Sequence, residues 1–178
     1  MLLSANIIVH WGEILRTLGI MVLIAFVFGV AYAIKYVKCA RAFSNRDYDY
    51  VLQCESLLRR FRKKSIQHER VQYMLAVAYF MRNDDESFLR HMSAVTAEEA
   101  MWAKNYWLSV YAVMQEDFEK YDLLQKELRQ KAKDARQTEL YDILTLAYKH
   151  KKEGYILSDE DREKVANCNY DRIKQIFP

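Results

Sequence analysis

The feature that most constrains this chain is residues 17–34, eighteen consecutive residues without a charge. As a helix that rises about 1.5 Å per residue, this stretch spans roughly 27 Å, close to the ~30 Å hydrocarbon core of a bilayer. Arg16 borders the stretch on one side and Lys35 on the other. The sequence therefore predicts a transmembrane helix at 17–34 and a single-pass membrane protein.

Basic residues follow the predicted span and indicate its direction. Lys35, Lys38 and Arg41 come directly after it, and positive side chains collect on the cytosolic side of a membrane. We therefore expect the N-terminus to be outside and the helical domain at 35–178 to be cytosolic. The short segment at 1–16 is then non-cytosolic or interfacial.

Two other interpretations of the apolar stretch stay open. Ala31-Tyr32-Ala33 fits the small-x-small pattern of a signal-peptidase site, although the leading region of a signal peptide is basic and this one is not. The stretch would alternatively be a buried core helix of a soluble protein, although it has no polar face.

The composition predicts an all-α fold. One Pro and four Gly in 178 residues, with apolar residues at three- and four-residue spacing, favour helices over a β sandwich or barrel. The three cysteines are widely spaced and lack the spacing of metal ligands. We expect each to be a buried or partly buried apolar side chain in a reducing compartment.

Apolar periodicity and turn residues predict the helices after the span. The expected helices are 35–43, 48–64, 69–82, 86–95, 97–115, one ending near 131, 136–152, one ending near 166, and 171–177. Thr96-x-x-Glu99 has the spacing of a capping box and Ser158-x-x-Asp161 that of a close relative. Both patterns predict a helix start.

The predicted helices recur at an interval of thirty-three to thirty-five residues, the length of a helix-turn-helix repeat. Residues 80–84 superpose on 113–117 at an offset of thirty-three, and residues 45–49 precede 115–119 by seventy. In this pattern the chain resembles tetratricopeptide-repeat proteins over about residues 40–166. The matching packing positions are Leu75, Ala76, Tyr79, Phe88, Met92, Val95, Leu108, Ser109, Tyr121, Leu128, Leu144, Thr145 and Tyr148.

The resemblance implies a right-handed stack of antiparallel helix pairs whose inner face binds peptides or partner helices. The first-helix Trp and Gly and the repeat-ending Pro of the family are absent here, so a looser stack of helical hairpins stays open as the alternative. The repeat period places the first helix of the first repeat at about 34–44. The anchor and this helix are therefore expected to form one continuous rod.

No catalytic constellation is recognisable in the sequence. It contains no Gly-rich phosphate loop, nucleophile elbow or zinc-protease histidine pair. We therefore expect no enzyme, no cofactor and no metal site. The acidic runs at 84–86 and 159–161 are interpreted as charges at helix N-termini and not as metal ligands.

Residues 35–72 carry ten Lys/Arg against four Asp/Glu, a balance of +6. Within them the basic run at 59–64 admits three interpretations: a solvated helix end, contact with anionic lipid headgroups, or nucleic-acid binding, which the aromatic spacing disfavours. The candidate anionic-lipid contacts are Lys35, Lys38, Arg41, Arg59, Arg60, Arg62, Lys63 and Lys64.

Aromatic residues are the candidates for the partner-binding groove that the resemblance implies. They are Tyr73, Tyr106, Trp107, Tyr111 and Tyr141. We expect Tyr106 and Tyr141 to be partly exposed. The alternative is that this aromatic stripe, being at helical spacing, belongs to the core.

Together these features predict a membrane-anchored, non-enzymatic adaptor that holds a protein or peptide partner at the cytosolic membrane face. The bilayer and its anionic headgroups are its other expected contacts. The alternative function is a structural subunit of a multi-protein membrane complex that associates through its transmembrane helix.

Overall fold

The computed structural model describes residues 2–58, 66–132 and 134–177. Throughout these residues the regular structure is helical, which confirms the predicted all-α class. The chain divides into two compact units, Met1–Leu58 and Arg59–Pro178.

The helices follow one another in the predicted order. They are α1 (Leu2–Ser44), α2 (Tyr48–Gln53), α3 (Glu55–Leu58), α4 (Ile66–Met81), α5 (Asp85–Ser93), a 3-10 turn (Glu98–Ala100), α6 (Met101–Met114), α7 (Phe118–Lys131), α8 (Ala135–Glu153), α9 (Asp159–Asn167) and α10 (Asp171–Lys174). Most bounds lie close to the predicted ones, and the differences are largest after α2 and before α6.

The first unit is built on α1, a single helix of 43 residues that is about 64 Å long. The helix continues without a break from the predicted span through residues 34–44, as the repeat period predicted. Every side chain of residues 17–31 is exposed, and none of them is charged. One helix is therefore long and apolar enough to cross a membrane.

The C-terminal end of α1 shares a small core with α2. Cys39 and Val51 are fully buried and Cys54 is nearly so. The long helix predicted here is interrupted at Cys54, because its N–H donates to the carbonyls of both Tyr50 and Val51 and tightens the last turn of α2. The rest of that predicted helix, residues 59–64, lies outside the described residues.

In its described residues, the second unit contains three helical hairpins, α4 with α5, α6 with α7, and α8 with α9, followed by the short α10. The helix α8 also packs against α6 and α7. The largest fully buried apolar side chains of this unit are Val71, Leu75, Phe80, Phe88, Met92, Tyr106, Leu128, Ile143, Leu144 and Ile173. All three cysteines of the chain are described by the structure; they are buried, as predicted, and none forms a disulfide.

The same turn geometry recurs at Arg46-Asp47, Asn83-Asp84 and Glu116-Asp117. The first residue of each pair has a positive φ, of 63°, 60° and 59° respectively. Each aspartate donates its N–H to the carbonyl five residues earlier, and its carboxylate accepts from the N–H three residues later. One aspartate therefore ends one helix and begins the next.

Of the two predicted capping boxes, the structure contains one. Ser158 and Asp161 exchange both hydrogen bonds at the start of α9, which confirms that prediction. The Thr96 box is wrong, because the N–H and the hydroxyl of Thr96 both donate to the carboxylate of Glu69, at 2.9 Å each. The chain then enters α6 through the 3-10 turn Glu98–Ala100, which has no side-chain cap.

Candidate interaction surface

Three of the five aromatic residues predicted to line a groove lie together on α4 and α6. The indole Nε1 of Trp107 donates to the hydroxyl of Tyr73 at 3.0 Å. Tyr106 packs edge-on against Trp107, with ring centroids 5.2 Å apart. Trp107 and Tyr106 are only 2% and 1% exposed. The expected partial exposure of Tyr106 is therefore wrong: in this aromatic cluster Tyr106 and Trp107 are buried, and Tyr73 is half-buried.

Of the other two predicted aromatic residues, Tyr111 also lies on α6, one turn after Trp107, and Tyr141 lies on α8. Tyr111 contacts Phe88 of α5, with ring centroids 5.6 Å apart. The hydroxyl of Tyr141 donates to the side-chain oxygen of Gln125 on α7 at 3.2 Å. Tyr111 and Tyr141 are both partly exposed, as expected for Tyr141. The structure thus places four of the five predicted residues on α4 and α6 and the fifth, Tyr141, on α8.

The aromatic cluster is covered by the chain's own residues 168–177, which we call the C-terminal segment. Tyr170 stands edge-on against Trp107, with ring centroids 4.9 Å apart and an interplanar angle of 89°. At the other end of the segment, Phe177 packs on the ring of His150 from α8 at 5.7 Å. The segment therefore contacts the first helix of more than one hairpin.

Arg172 makes the most specific contacts of the C-terminal segment. Its Nη1 donates to the backbone carbonyl of Phe80 near the end of α4, and its Nη2 donates to the carboxylate of Asp85 in the first turn of α5. Its guanidinium carbon lies 3.9 Å from the centroid of the Phe80 ring. Although it carries a charge, Arg172 is only 5% exposed.

The surface under Arg172 suits a cation for three physical reasons. A carbonyl at a helix C-terminus carries partial negative charge, a carboxylate carries a full one, and the face of an aromatic ring attracts cations. The ring of Phe80 also contacts Trp107, with centroids 5.5 Å apart. The cation pocket and the aromatic cluster are therefore continuous, and we call Phe80, Asp85, Trp107 and His150 together the tail site.

Polar groups around the tail site are incompletely paired. Burial raises the pKa of Tyr106 well above its usual range, and the nearby Cys168, Tyr170 and Tyr73 raise it further. The hydroxyl of Tyr106 and the Nε of Arg172 have no hydrogen-bond partner among the residues that the structure describes. Among the described residues, the C-terminal segment therefore leaves the Tyr106 hydroxyl of α6 without a hydrogen bond.

The tail site was not predicted as a site from the sequence. The sequence predicts only a short closing helix at 171–177 and helix N-terminal charges at 84–86. The signal that was available is one arginine, Arg172, in a closing helix whose apolar residues are Ile173, Ile176 and Phe177. An arginine on a buried face needs a partner, but the sequence does not indicate that Asp85 is that partner.

The structure describes part of the predicted lipid-contact set. Lys35, Lys38 and Arg41 are all exposed on α1. Lys38 and Arg41 line a shallow groove together with Ile34 and Val37. The other predicted contacts lie outside the described residues; they are Arg59, Arg60, Arg62, Lys63 and Lys64.

Across residues 2–58, 66–132 and 134–177, no group of three or more His, Cys, Asp or Glu side chains is arranged to hold a metal ion. Comparison of the chain with protein-family models, with curated proteins and with solved structures finds no match.

Proposed function

We propose that this protein is a membrane-anchored adaptor: α1 holds it in a bilayer, and its helical hairpins hold a protein or peptide partner at the cytosolic face. The observation that carries the proposal is the complete exposure of the uncharged residues 17–31 on α1. Exposed apolar surface of this extent is rare in soluble proteins and marks a membrane or a protein interface.

The proposed orientation depends on the cations after the span. Lys35, Lys38 and Arg41 are exposed on the part of α1 that follows its uncharged residues. Each cation near an anionic leaflet contributes about 1 kcal/mol of attraction, and basic residues of this kind stay on the cytosolic side. The domain at 35–178 is therefore assigned to the cytosol.

The adaptor role depends on the hairpins of the second unit. The identical turns at Asn83-Asp84 and Glu116-Asp117 support a repeated hairpin, and a tetratricopeptide-like stack is part of the proposal. The tail site adds buried aromatic side chains and a cation pocket, which are the features that dominate binding energy in protein interfaces. The proposed adaptor catalyses no reaction and needs no cofactor.

Two experiments on native membranes test the anchor. We expect the chain to stay in the membrane pellet after alkaline extraction. We expect protease to digest residues 35–178 only when it is added from the cytosolic side. Release of the intact chain by alkali contradicts the anchor, and digestion of the domain from the opposite side contradicts the orientation.

The second candidate function is a structural subunit of a membrane complex. It is favoured by the same exposure of α1. Apart from the neighbouring backbone of α1 itself, no atom lies within 4 Å of a Cβ added at Gly19 or Gly29, so the helix surface at both glycines is open to another helix. Replacing residues 17–34 by an unrelated apolar sequence of equal length distinguishes the two functions. Proteins that still crosslink to the exchanged chain in its native membrane support the adaptor, whereas loss of all of them supports the complex subunit.

A further inference from the structure

The C-terminal segment is attached in a way that differs from the rest of the second unit. Residues 154–158, which lead into α9, are exposed except for Leu157, and Ile156 is 81% exposed. The helix α9 then buries only Val165. A lightly packed stretch therefore joins α8 to the densely packed residues that follow.

The segment that follows buries much more. Its buried side chains are those of Cys168, Arg172, Ile173, Ile176 and Phe177. Its only helix, α10, has four residues, far fewer than the roughly 12–15 at which an isolated helix becomes marginally stable in water. The segment is therefore positioned by its side-chain contacts and not by its own secondary structure, as a bound peptide is.

We propose that the tail site is a peptide-binding site for a protein segment that carries an arginine next to aromatic and aliphatic side chains, and that the C-terminal segment is its intramolecular occupant. The proposal deepens the proposed adaptor function and rests on it for the statement that the competing partner is a protein. The guanidinium is bound by the carboxylate of Asp85, the backbone carbonyl of Phe80 and the ring of Phe80. Trp107 and His150 select the flanking aromatic rings.

The incomplete polar contacts explain why another segment can replace this one. The Tyr106 hydroxyl of α6 lacks a partner among the described residues. A partner segment that offers an oxygen acceptor to this hydroxyl gains a hydrogen bond that the C-terminal segment does not make. The C-terminal segment has the opposite advantage of being tethered, since a short tether gives an effective concentration in the millimolar range. An incoming segment therefore binds only when it is intrinsically tighter.

The test uses the full chain in lipid nanodiscs and a fluorescent peptide with the sequence of residues 167–177. Arg172→Ala weakens the binding of the C-terminal segment to the tail site. Lys174→Ala is the matched control, because it also removes one positive charge from α10. We expect the peptide to bind the Arg172→Ala chain at least tenfold more tightly than it binds the wild-type or Lys174→Ala chain. Adding Asp85→Ala to the Arg172→Ala chain removes this binding, and a peptide with alanine in place of the arginine binds at least tenfold more weakly.

Hydrogen exchange shows whether α4 and α6 stay folded in the Arg172→Ala chain. We expect faster exchange in residues 170–177 of the Arg172→Ala chain, with α4 and α6 protected as in the wild type. Equal peptide binding to all three chains overturns the proposal. Loss of protection throughout α4 and α6 also overturns it, because the segment is then an inseparable part of the core.

A second measurement needs no change in the segment. A protease site inserted at the exposed residues 154–158 allows the wild-type chain to be cut after it has folded. We expect the released fragment to exchange with an excess of its labelled copy within a day, and a fragment that stays in place overturns the proposal. Because both assays use only the purified chain and its own peptide, their outcome is independent of whether a cellular partner crosslinks in native membranes.

Discussion

Arg172 and Asp85, which are eighty-seven residues apart in sequence, form an ion pair in which the arginine side chain is 6% exposed and the aspartate side chain 32%. The pair joins the C-terminal segment to the start of α5. Removing either partner leaves the other without its charge complement in or near the protein interior, where charges are costly.

We expect Asp85→Ala and Arg172→Ala each to lower the free energy of unfolding of the extramembrane helices by about 1.5–3 kcal/mol, the range for hydrogen bonds to charged groups. The double variant should lose little more free energy of unfolding than either single variant, because the two substitutions remove the same contact. Urea denaturation in detergent, followed by tryptophan fluorescence, measures all three. Additive losses would show that the two side chains act separately.

Glu69 makes stability depend on pH. Burial acts to raise the pKa of this carboxyl, but the hydrogen bonds from Thr96 and Ala97 and the charge of His68 together lower it. A carboxyl whose pKa is lower in the folded state stabilises the folded chain. This contribution is fully present above the pKa in the unfolded state, about 4.3, and it is lost as the pH falls through the pKa in the folded state.

We therefore expect Glu69→Gln to destabilise the chain by about 1 kcal/mol at pH 7, and this difference from wild type to shrink below about pH 4. Thermal unfolding of both proteins between pH 3 and pH 7 measures the effect. Glu98→Gln is the control, since Glu98 is an exposed carboxyl in the 3-10 turn that follows Thr96 and Ala97. A pH-independent difference would contradict the role assigned to the Glu69 charge.

The uncharged residues 17–34 of α1 allow a prediction of how charged substitutions affect membrane insertion. Leu23 and Val27 are 62% and 57% exposed, and an aspartate near the centre of a span costs about 2.5–3.5 kcal/mol. We expect Leu23→Asp with Val27→Asp to move the chain into the alkali-soluble fraction. Leu123→Asp is the control because Leu123 is 71% exposed on α7, and it should leave the fractionation unchanged. Equal behaviour of the two variants would exclude α1 as the anchor.

The left-handed turn residues predict a stabilising substitution. Glu116 has a φ of 59°, a conformation that costs a residue with a Cβ about 1–2 kcal/mol. We expect Glu116→Gly to stabilise the chain by about 1 kcal/mol, and Asn83→Gly to stabilise it less because asparagine tolerates this conformation. Gln115→Gly, at a φ of −85°, should destabilise it instead. Thermal unfolding distinguishes these outcomes, and a loss of stability in Glu116→Gly would contradict them.

The helices were largely predictable because their limits are encoded locally. Asp84 and Asp117 each end one helix and begin the next through hydrogen bonds within five residues, and Gly154 ends α8 in the left-handed conformation. The apolar run at 17–34 was equally visible, because composition and length alone decide whether a helix can cross a bilayer.

Two failures have a different cause, since each depends on a contact between distant residues. Thr96 bonds to Glu69, twenty-seven residues earlier, and not to the helix that follows it. Two of the aromatic residues predicted for an open groove, Tyr106 and Trp107, are buried, and Tyr170 packs on Trp107. Local periodicity indicates that a side chain faces inward, but it does not indicate which later part of the chain will cover it.

The sequence separation between the tail site and its occupant has a consequence for the newly synthesised protein. The ribosome adds Phe80 and Asp85 ninety-two and eighty-seven residues before Arg172, which at about 5–20 residues per second is an interval of roughly 4–18 s. Individual helices form in microseconds or less. During translation, each nascent chain therefore passes through seconds in which α4 and α5 have been made but their covering residues have not, and a chaperone or a co-translational partner has its best access then.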